Sequence, residues 1–256
     1  MTLTENNNYK DLIIELTRKE IKIKYKNSYL GYLWSLANPL LMALIFYFVF
    51  QVITRMQMEN YALFLVTGLF IWTWLANTIQ MSTMLFVGNA PLIKKVLFPR
   101  SFLAIALVVS EGFNFFFSIP IIIGFMIYYD LFPSLYWLIG IPLMFFITAI
   151  FIYGMSLLIG SINLFFRDIE RIITLLMTVL FYGTPILYPA SMIPEKLHYM
   201  LYLNPFTSFV ISWRDILLNN TFNIEFISLS IAYAFAAYIL GTYVYNKLKF
   251  KFAELI

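Results

Sequence analysis

The sequence predicts an all-α integral membrane protein, and three observations support that prediction. Of the 256 residues, 62% are hydrophobic. Only 12% are charged, about half the fraction found in an average soluble domain. A soluble chain of this length cannot bury so much apolar surface. The apolar residues also fall in long runs of the length that crosses the roughly 30 Å hydrocarbon core of a bilayer.

Six apolar runs define the expected spans, since a helix needs about 20 residues to cross the hydrocarbon. They lie at about 36–54, 61–87, 102–129, 135–166, 172–188 and 226–245. The fifth run is the shortest and ends at Pro185 and Pro189. The sequence therefore predicts six transmembrane helices in a transmembrane domain of residues 35–256, preceded by a cytoplasmic N-terminus of residues 1–34.

The orientation follows from the placement of Lys and Arg. The N-terminal stretch lacks the short apolar core and cleavage site of a signal peptide, so we expect both termini in the cytoplasm. Nearly all basic residues then lie on the cytoplasmic side, as the positive-inside rule requires. The exceptions are Arg55, Lys196 and Arg214. The net charge of +4 is thus a topology signal, and we expect no nucleic-acid partner.

The segment from Tyr9 to Asn27 has the pattern of an amphipathic helix. Its apolar stripe consists of Tyr9, Leu12, Ile13, Leu16 and Ile23. Charged side chains gather on the opposite face. A basic amphipathic helix of this kind lies in the membrane interface and contacts membrane lipids, so we expect an interface helix. The alternative is a solvated charged tail that only sets the topology.

A short segment between the second and third runs carries helix signals of its own. Asn89 is a favourable N-cap, Pro91 suits an early helical position, and Pro99 stops the helix near Phe98. The helix would carry Pro91, Leu92, Ile93, Lys94, Lys95, Val96 and Leu97. A helix of two turns is marginal in water, so it needs packing from its own spans or from a partner protein. The spacing leaves both options open.

The segment after the fifth run is too apolar for an ordinary external loop. Asn204 and Pro205 read as N-cap and first helical position. An apolar stripe then follows at Phe206, Phe209, Val210, Trp213 and Leu217. With a shorter helical piece at Glu195–Leu203, the sequence predicts a re-entrant hairpin between spans five and six. Arg214 and Asp215 are expected to approach the wet side. The alternative is a pair of helices lying on the surface.

Groups capable of catalysis are scarce. The chain has no cysteine and one histidine, His198, so we predict no metal site, and no phosphate-binding loop occurs. Glu111 is the one clear ionisable residue within the spans, with Asn114 one turn later and Asn77 and Gln80 in the second span. Without an obvious basic partner, Glu111 could belong to an ion path or simply hydrogen-bond a neighbouring helix.

Three stretches resemble a known family of membrane proteins. The stretch K-Y-K-N-S-Y-L-G-Y-L-W-S-L-A-N-P at Lys24–Pro39 looks like the opening of the first span in membrane subunits of ABC-2 type polysaccharide exporters. F-F-R-D-I at Phe165–Ile169 and Y-L-N-P-F-T-S-F-V-I-S-W-R-D-I-L-L at Tyr202–Leu218 are similar to two further family stretches, in the family's order. The greatest likeness is to permeases of O-antigen exporters. Teichoic-acid and capsule exporters are near relatives.

The resemblance implies a homodimer in the bacterial inner membrane with a channel at its centre. Two copies of a separate nucleotide-binding ATPase would hold ATP and Mg, so this subunit would need no cofactor and would not itself be an enzyme. The substrate would be a lipid-linked polysaccharide. The segment Pro91–Leu97 would be the coupling helix that docks on the ATPase, and the hairpin would be a periplasmic gate.

The resemblance also assigns residues to the passage. The first and fifth spans would line the channel, through aromatic side chains that suit sugar rings. The expected lining residues are Phe46, Phe50, Tyr182 and Tyr188. The expected gate residues are Tyr199, Tyr202, Asn204, Pro205, Trp213 and Arg214. Tyr199, Tyr202 and Trp213 are expected near the exit.

Two other classes of protein fit the composition. A secondary transporter or lipid flippase would work without an ATPase, and a secondary transporter predicts paired intramembrane charges and repeated broken helices. A membrane-bound glycan enzyme would need a cluster of acid and base groups near an interface, and the sequence shows none.

Overall fold

A computed structural model of the chain describes residues 3–26, 29 and 31–252. These residues form α-helices and short helical turns, and no strand occurs among them. The helices are α1 Leu3–Tyr25, α2 Leu33–Tyr47, α3 Tyr61–Ser82, α4 Ala90–Lys95, α5 Phe102–Tyr128, α6 Tyr136–Asn163, α7 Ile169–Gly183, α8 Tyr199–Leu203, α9 Pro205–Arg214 and α10 Ile224–Leu248. Wider π-helical turns extend α2 through Phe48–Ile53 and α9 through Asp215–Asn219. The predicted all-helical class is confirmed.

The central element of the bundle is α3. Its most apolar stretch is 83% buried, because it is apolar on all sides and helices of that kind are enclosed by others. It contacts α2, α5, α6, α7 and α9. On another side of the bundle, α6 and α10 pack along each other, and Gly154 lies against Gly241 where their backbones approach closely. Small residues permit such close crossings between membrane helices.

Two helices remain largely uncovered. Only 11% of the apolar stretch of α2 is buried. On α7, Ile173 and Met177 are buried, whereas Leu175 and Val179 are 68% and 60% exposed. Large apolar surfaces of this kind need lipid or another protein chain to cover them.

Five of the six predicted spans are confirmed as helices long and apolar enough to cross a membrane, among the residues that the structure describes. The remaining run forms α7, which has 15 residues and is therefore about 22 Å long. That is shorter than the hydrocarbon core. The helix ends at Gly183, before Pro185, because a proline disfavours helical geometry in the residue that precedes it. A second boundary also moves, since α3 ends at Ser82 and not at Val87.

The N-terminal helix packs lengthwise on α5. Tyr9 contacts Phe102 edge-to-face with ring centroids 5.5 Å apart, and Tyr25 hydrogen-bonds Asn114. From Phe102 to Asn114, α1 follows α5 for about 18 Å. Leu16 is 4% exposed, and Leu12 packs beside it. Ile23 does not share this buried face, because it is 59% exposed, and the next residue, Lys24, faces α5 instead.

Candidate functional site

A groove of about 350 Å³ opens between α2, α3 and α7. Thr73, Asn77 and Gln80 of α3 line it, and their spacing places them on one face of that helix. From α7 come Thr178, Phe181 and Tyr182, and α2 contributes Asn38 and Pro39. Polar and aromatic side chains therefore share a concave surface between the central helix α3 and the largely uncovered helices α2 and α7.

The amide groups of this groove are free to bind. Within the described part of the chain, the side chains of Asn38, Asn77 and Gln80 have no hydrogen-bond partner. Thr73 differs, because its hydroxyl donates to the carbonyl of Leu69 at 2.6 Å. A carboxamide offers both donors and acceptors, so three of them in one groove suit water or a ligand rich in hydroxyl groups.

A charged cluster lies at one end of the groove. Lys24 donates to both carboxylate oxygens of Glu111, at 2.7 and 2.8 Å. Asn114 donates to Glu111 Oε2 at 3.3 Å, and its own Oδ1 accepts from the Tyr25 hydroxyl at 2.7 Å. Burial raises the pKa of the Tyr25 phenol, so this hydroxyl stays protonated and acts as the donor. A cavity of about 180 Å³ lined by Lys24, Tyr25, Thr73 and Asn77 connects the cluster with the groove.

The expectation that Glu111 lacks a basic partner is wrong. Its side chain is 2% exposed and paired with Lys24, 87 positions earlier in the chain. The partner lies on α1, outside the apolar runs, so a search within the spans could not find it.

The four predicted channel residues lie near one another, but they do not all face the groove. Tyr182 lines it. The Tyr188 hydroxyl donates to the carbonyl of Tyr182 at 2.7 Å. Phe46 packs on Phe181 and Phe50, with ring centroids 5.8 and 6.4 Å apart. The structure thus groups them as an aromatic cluster between α2 and the end of α7.

The predicted coupling segment is helical over a shorter stretch. The helix ends at Lys95, and Val96 is extended with φ −130° and ψ 134°. Pro91 lies in the first turn and Asn89 is the N-cap residue, both as expected, but the Asn89 side chain makes no capping hydrogen bond. Its amide instead donates to the carbonyl of Leu85 at 2.8 Å, and its Oδ1 accepts from Lys19 of α1. This tertiary contact competes with the capping geometry.

The exposed surface of this segment is apolar and basic. Ile93 is 7% exposed and anchors α4 to the bundle. Val96 and Leu97 are 47% and 100% exposed, and Lys94 and Lys95 are exposed beside them. Leu92 and Pro91 line a cavity of about 590 Å³ between α4, α1 and the end of α3.

The segment after α7 forms the two predicted helices, with one capped as expected. Asn204 accepts from the backbone N–H of Phe206 at 3.0 Å, and Pro205 begins α9. Trp213 was expected near the exit; its side chain is fully buried in the bundle and donates to the Thr148 hydroxyl at 3.0 Å. Tyr199 and Tyr202 are 57% and 42% exposed.

Arg214 is also placed contrary to expectation. It is 7% exposed, and its guanidinium donates to the carbonyls of Pro185, Ile186 and Phe64 at 2.8, 3.4 and 3.3 Å. The same group lies 3.6 Å from the centroid of the Phe64 ring. Among the described residues, no carboxylate is within salt-bridge distance of it. Arg214 therefore faces the broken backbone after α7 and not the wet side.

Comparison with known proteins identifies the family. A family model described as ABC-2 type transporter matches residues 11–218. The chain belongs to the ABC-2 type transporter family. It is 46% identical over 246 residues to a Klebsiella pneumoniae protein named O-antigen export system permease protein RfbA, covering 96% of this chain and 95% of the relative. A Myxococcus xanthus protein of the same name is 31% identical over 210 residues, covering 81% of this chain and 80% of the relative.

The family assignment confirms the resemblance carried by the three motifs, and the structure shows where they lie. The first motif includes Lys24, Asn38 and Pro39, which line the groove or its polar end. The second precedes α7, and the third forms α9 with its flanks. The first motif thus lies at the groove, and the third lies in a segment that packs against α3, α6 and α10.

Sequence reasoning missed part of the groove. Trp72 and Phe181 line it, but they resemble any other packed aromatic residue in the sequence. Thr73, Asn77 and Gln80 left a clear signal, because polar residues at helical spacing in an apolar helix indicate one polar face.

Proposed function

We propose that this chain is the membrane subunit of an ATP-driven exporter that moves lipid-linked polysaccharide, with O-antigen as the substrate, across the bacterial inner membrane. The observation that carries the proposal is the 46% identity to an O-antigen export system permease over 96% of the chain. The groove adds a physical reason. Free amides beside aromatic rings match a sugar, which has hydroxyl groups at its rim and an apolar face.

The passage would form where two copies of the chain meet. The exposed faces of α2 and α7 border the groove, so a homodimer in contact there would enclose two grooves in one channel. The short α7 would then be the fifth of six spans, covered by the second copy and by the α8–α9 hairpin. Phe46, Phe50, Tyr182 and Tyr188 would contact the moving glycan.

The driving force would come from two copies of a nucleotide-binding ATPase that hold ATP and Mg. The exposed apolar and basic surface of α4, Val96 and Leu97 is the proposed docking point. Both termini would lie in the cytoplasm, with α1 as the interface helix. The α8–α9 hairpin would close the periplasmic mouth, with Tyr199 and Tyr202 nearest the passage and Asn204, Pro205, Trp213 and Arg214 holding the hairpin in place.

The test is reconstitution of the chain in vesicles with the nucleotide-binding ATPase of the proposed complex, using defined lipid-linked glycans. Export that requires ATP and both subunits supports the proposal. The Lys24–Glu111 pair is the one observation favouring a secondary transporter or flippase, since that class predicts paired charges. Transport by this chain without the ATPase would decide for that alternative.

The docking point gives a first prediction. Changing Val96 and Leu97 to Asp places two carboxylates in an apolar contact. We expect the binding free energy of the ATPase to weaken by about 2 kcal/mol or more. A loss of about 2 kcal/mol corresponds to about 30-fold weaker binding. Binding of the purified ATPase to the detergent-solubilised permease measures this. Leu135→Asp is the control, because Leu135 is 81% exposed in the connection between α5 and α6. Equal ATPase affinity in both variants contradicts the docking point.

The groove gives a second prediction. The chain has no cysteine, so single cysteines at Asn77 and Tyr182 can be probed with a water-soluble thiol reagent. Both are expected to react, and added glycan is expected to slow the reaction. Leu175→Cys is the control on α7, because Leu175 is 68% exposed but does not line the groove. Reaction of Leu175→Cys at the same rate as Tyr182→Cys contradicts a water-filled groove.

A further inference from the structure

The N-terminal helix is attached to the bundle at two polar points. Near its middle, Lys19 contacts the Oδ1 of Asn89 at the start of α4. Near its end, Lys24 pairs with Glu111 of α5, and the adjacent Tyr25 donates to Asn114 of the same helix. Leu16, on the same helix, is buried against the apolar cluster formed by the ends of α3, α5 and α6. The helix therefore has a fixed position relative to both α4 and α5.

The two attachments differ in burial. Glu111 is 2% exposed, whereas the Lys24 side chain is 24% exposed. A buried carboxylate needs a partner, and removing one member of such a pair is strongly unfavourable. Lys24 is therefore the partner that holds this part of α5 and the end of α1 together.

The Lys24–Glu111 pair also borders the site. A small cavity next to Glu111 is lined by Lys24, Thr73, Asn77 and Asn114, and Thr73 and Asn77 belong equally to the groove. A displacement of the end of α1 thus changes the shape of the groove's polar end directly. At the other attachment, Asn89 directly precedes α4, so a displacement of α4 moves Lys19.

We infer that α1 transmits displacement of α4 to the polar end of the groove, with Lys19–Asn89 and Lys24–Glu111 as its two points of attachment. Lys24 and Glu111 are positioning residues in this scheme and carry no transported ion. The inference rests on the proposed function, since it requires a partner that moves α4. It assigns to Glu111 a mechanical role that neither the family motifs nor the relatives' names specify.

The experiment uses the complete complex of permease and ATPase in vesicles, and it measures ATP hydrolysis and glycan export in parallel. The variants are Glu111→Gln, Lys24→Gln, the charge exchange Lys24→Glu with Glu111→Lys, and Asn89→Ala. Lys22→Gln is the matched control, because Lys22 is exposed on the same helix. We expect export by the single variants to fall about 10-fold while ATP hydrolysis continues, a typical size for coupling between sites. The charge exchange is expected to restore export.

Each outcome decides the question. Normal export by Glu111→Gln overturns the inference, and so does a parallel loss of hydrolysis and export, which indicates structural support alone. If Glu111→Gln does not fold, Asn89→Ala decides, because it leaves the buried carboxylate paired. Continued hydrolysis with reduced export in that variant supports the transmitting helix, and wild-type behaviour overturns it. Absence of export by the wild-type complex instead rejects the proposed function.

Discussion

Replacement of Gly241 by Ala is expected to prevent α6 and α10 from packing, with a loss of about 3 kcal/mol or more of stability. A Cβ atom at Gly241 would lie 2.0 Å from the carbonyl oxygen and 2.8 Å from the carbonyl carbon of Gly154. These are backbone atoms of a helix, so they cannot move aside as a side chain can. Thermal unfolding of the detergent-solubilised protein, together with the yield of monodisperse protein, measures the effect.

The control is Gly124→Ala in α5, where a Cβ atom would meet nothing within 4 Å. Alanine is a better helix former than glycine, so this variant should be neutral or gain up to about 1 kcal/mol. Gly154→Ala is expected to behave like Gly241→Ala, since its Cβ would lie 2.4 Å from the backbone of Ala237. Similar unfolding temperatures for Gly241→Ala and Gly124→Ala contradict the packing argument.

The sequence predicted the helices well because apolar runs are a local property. The run at 102–129 became α5, and that at 226–245 became α10. The boundary of α3 was missed because nothing in the composition of residues 83–87 distinguishes turns from helix. Pro185 indicated that α7 is short. Whether so short a helix spans the bilayer depends on the hairpin beside it, which is not a local property.

Side-chain partners across the chain could not be predicted in the same way. From the sequence, Lys24 was interpreted as a charge that sets the topology and Glu111 as an isolated carboxylate. In the structure they form one ion pair. Asn89 has the type and position of an N-cap, yet its side-chain amide donates to the carbonyl of Leu85 and its side-chain oxygen accepts from Lys19. Each result depends on which helices are neighbours, and periodicity within one helix does not contain that information.

Arg214 is the clearest case of a local rule overridden by tertiary structure. An arginine at the end of an external helix is expected to face water, but this one satisfies carbonyl groups at Pro185 and Ile186. Backbone that leaves helical geometry at membrane depth requires such partners from elsewhere in the protein. The arginine thus supplies the donors that the broken segment after α7 lacks.

Replacement of Gly68 by Ala is expected to destabilise the protein through its contact with Arg214. A Cβ atom at Gly68 would lie 2.3 Å from Nη2 of Arg214. The guanidinium must therefore shift away from its present position. Nη2 donates to the carbonyls of Ile186 and Phe64, so the shift weakens these two hydrogen bonds, at about 1–3 kcal/mol for each bond that is lost. Arg214→Met also leaves acceptors unpaired, at about 1–3 kcal/mol each, but it removes the charge that was costly to bury.

This direct contact predicts a specific non-additivity. In the double variant of Gly68→Ala with Arg214→Met, the methyl group no longer meets a guanidinium, and its remaining close neighbour is Ile186 at 3.4 Å, an ordinary contact. The double variant should therefore unfold at the same temperature as Arg214→Met alone, because the loss caused by Gly68→Ala acts through Arg214. Residues in direct contact show interaction energies of about 0.5–3 kcal/mol in such cycles. Strictly additive losses would mean that Gly68 and Arg214 act separately, and the role of Arg214 as the partner of the broken segment would then have to be abandoned.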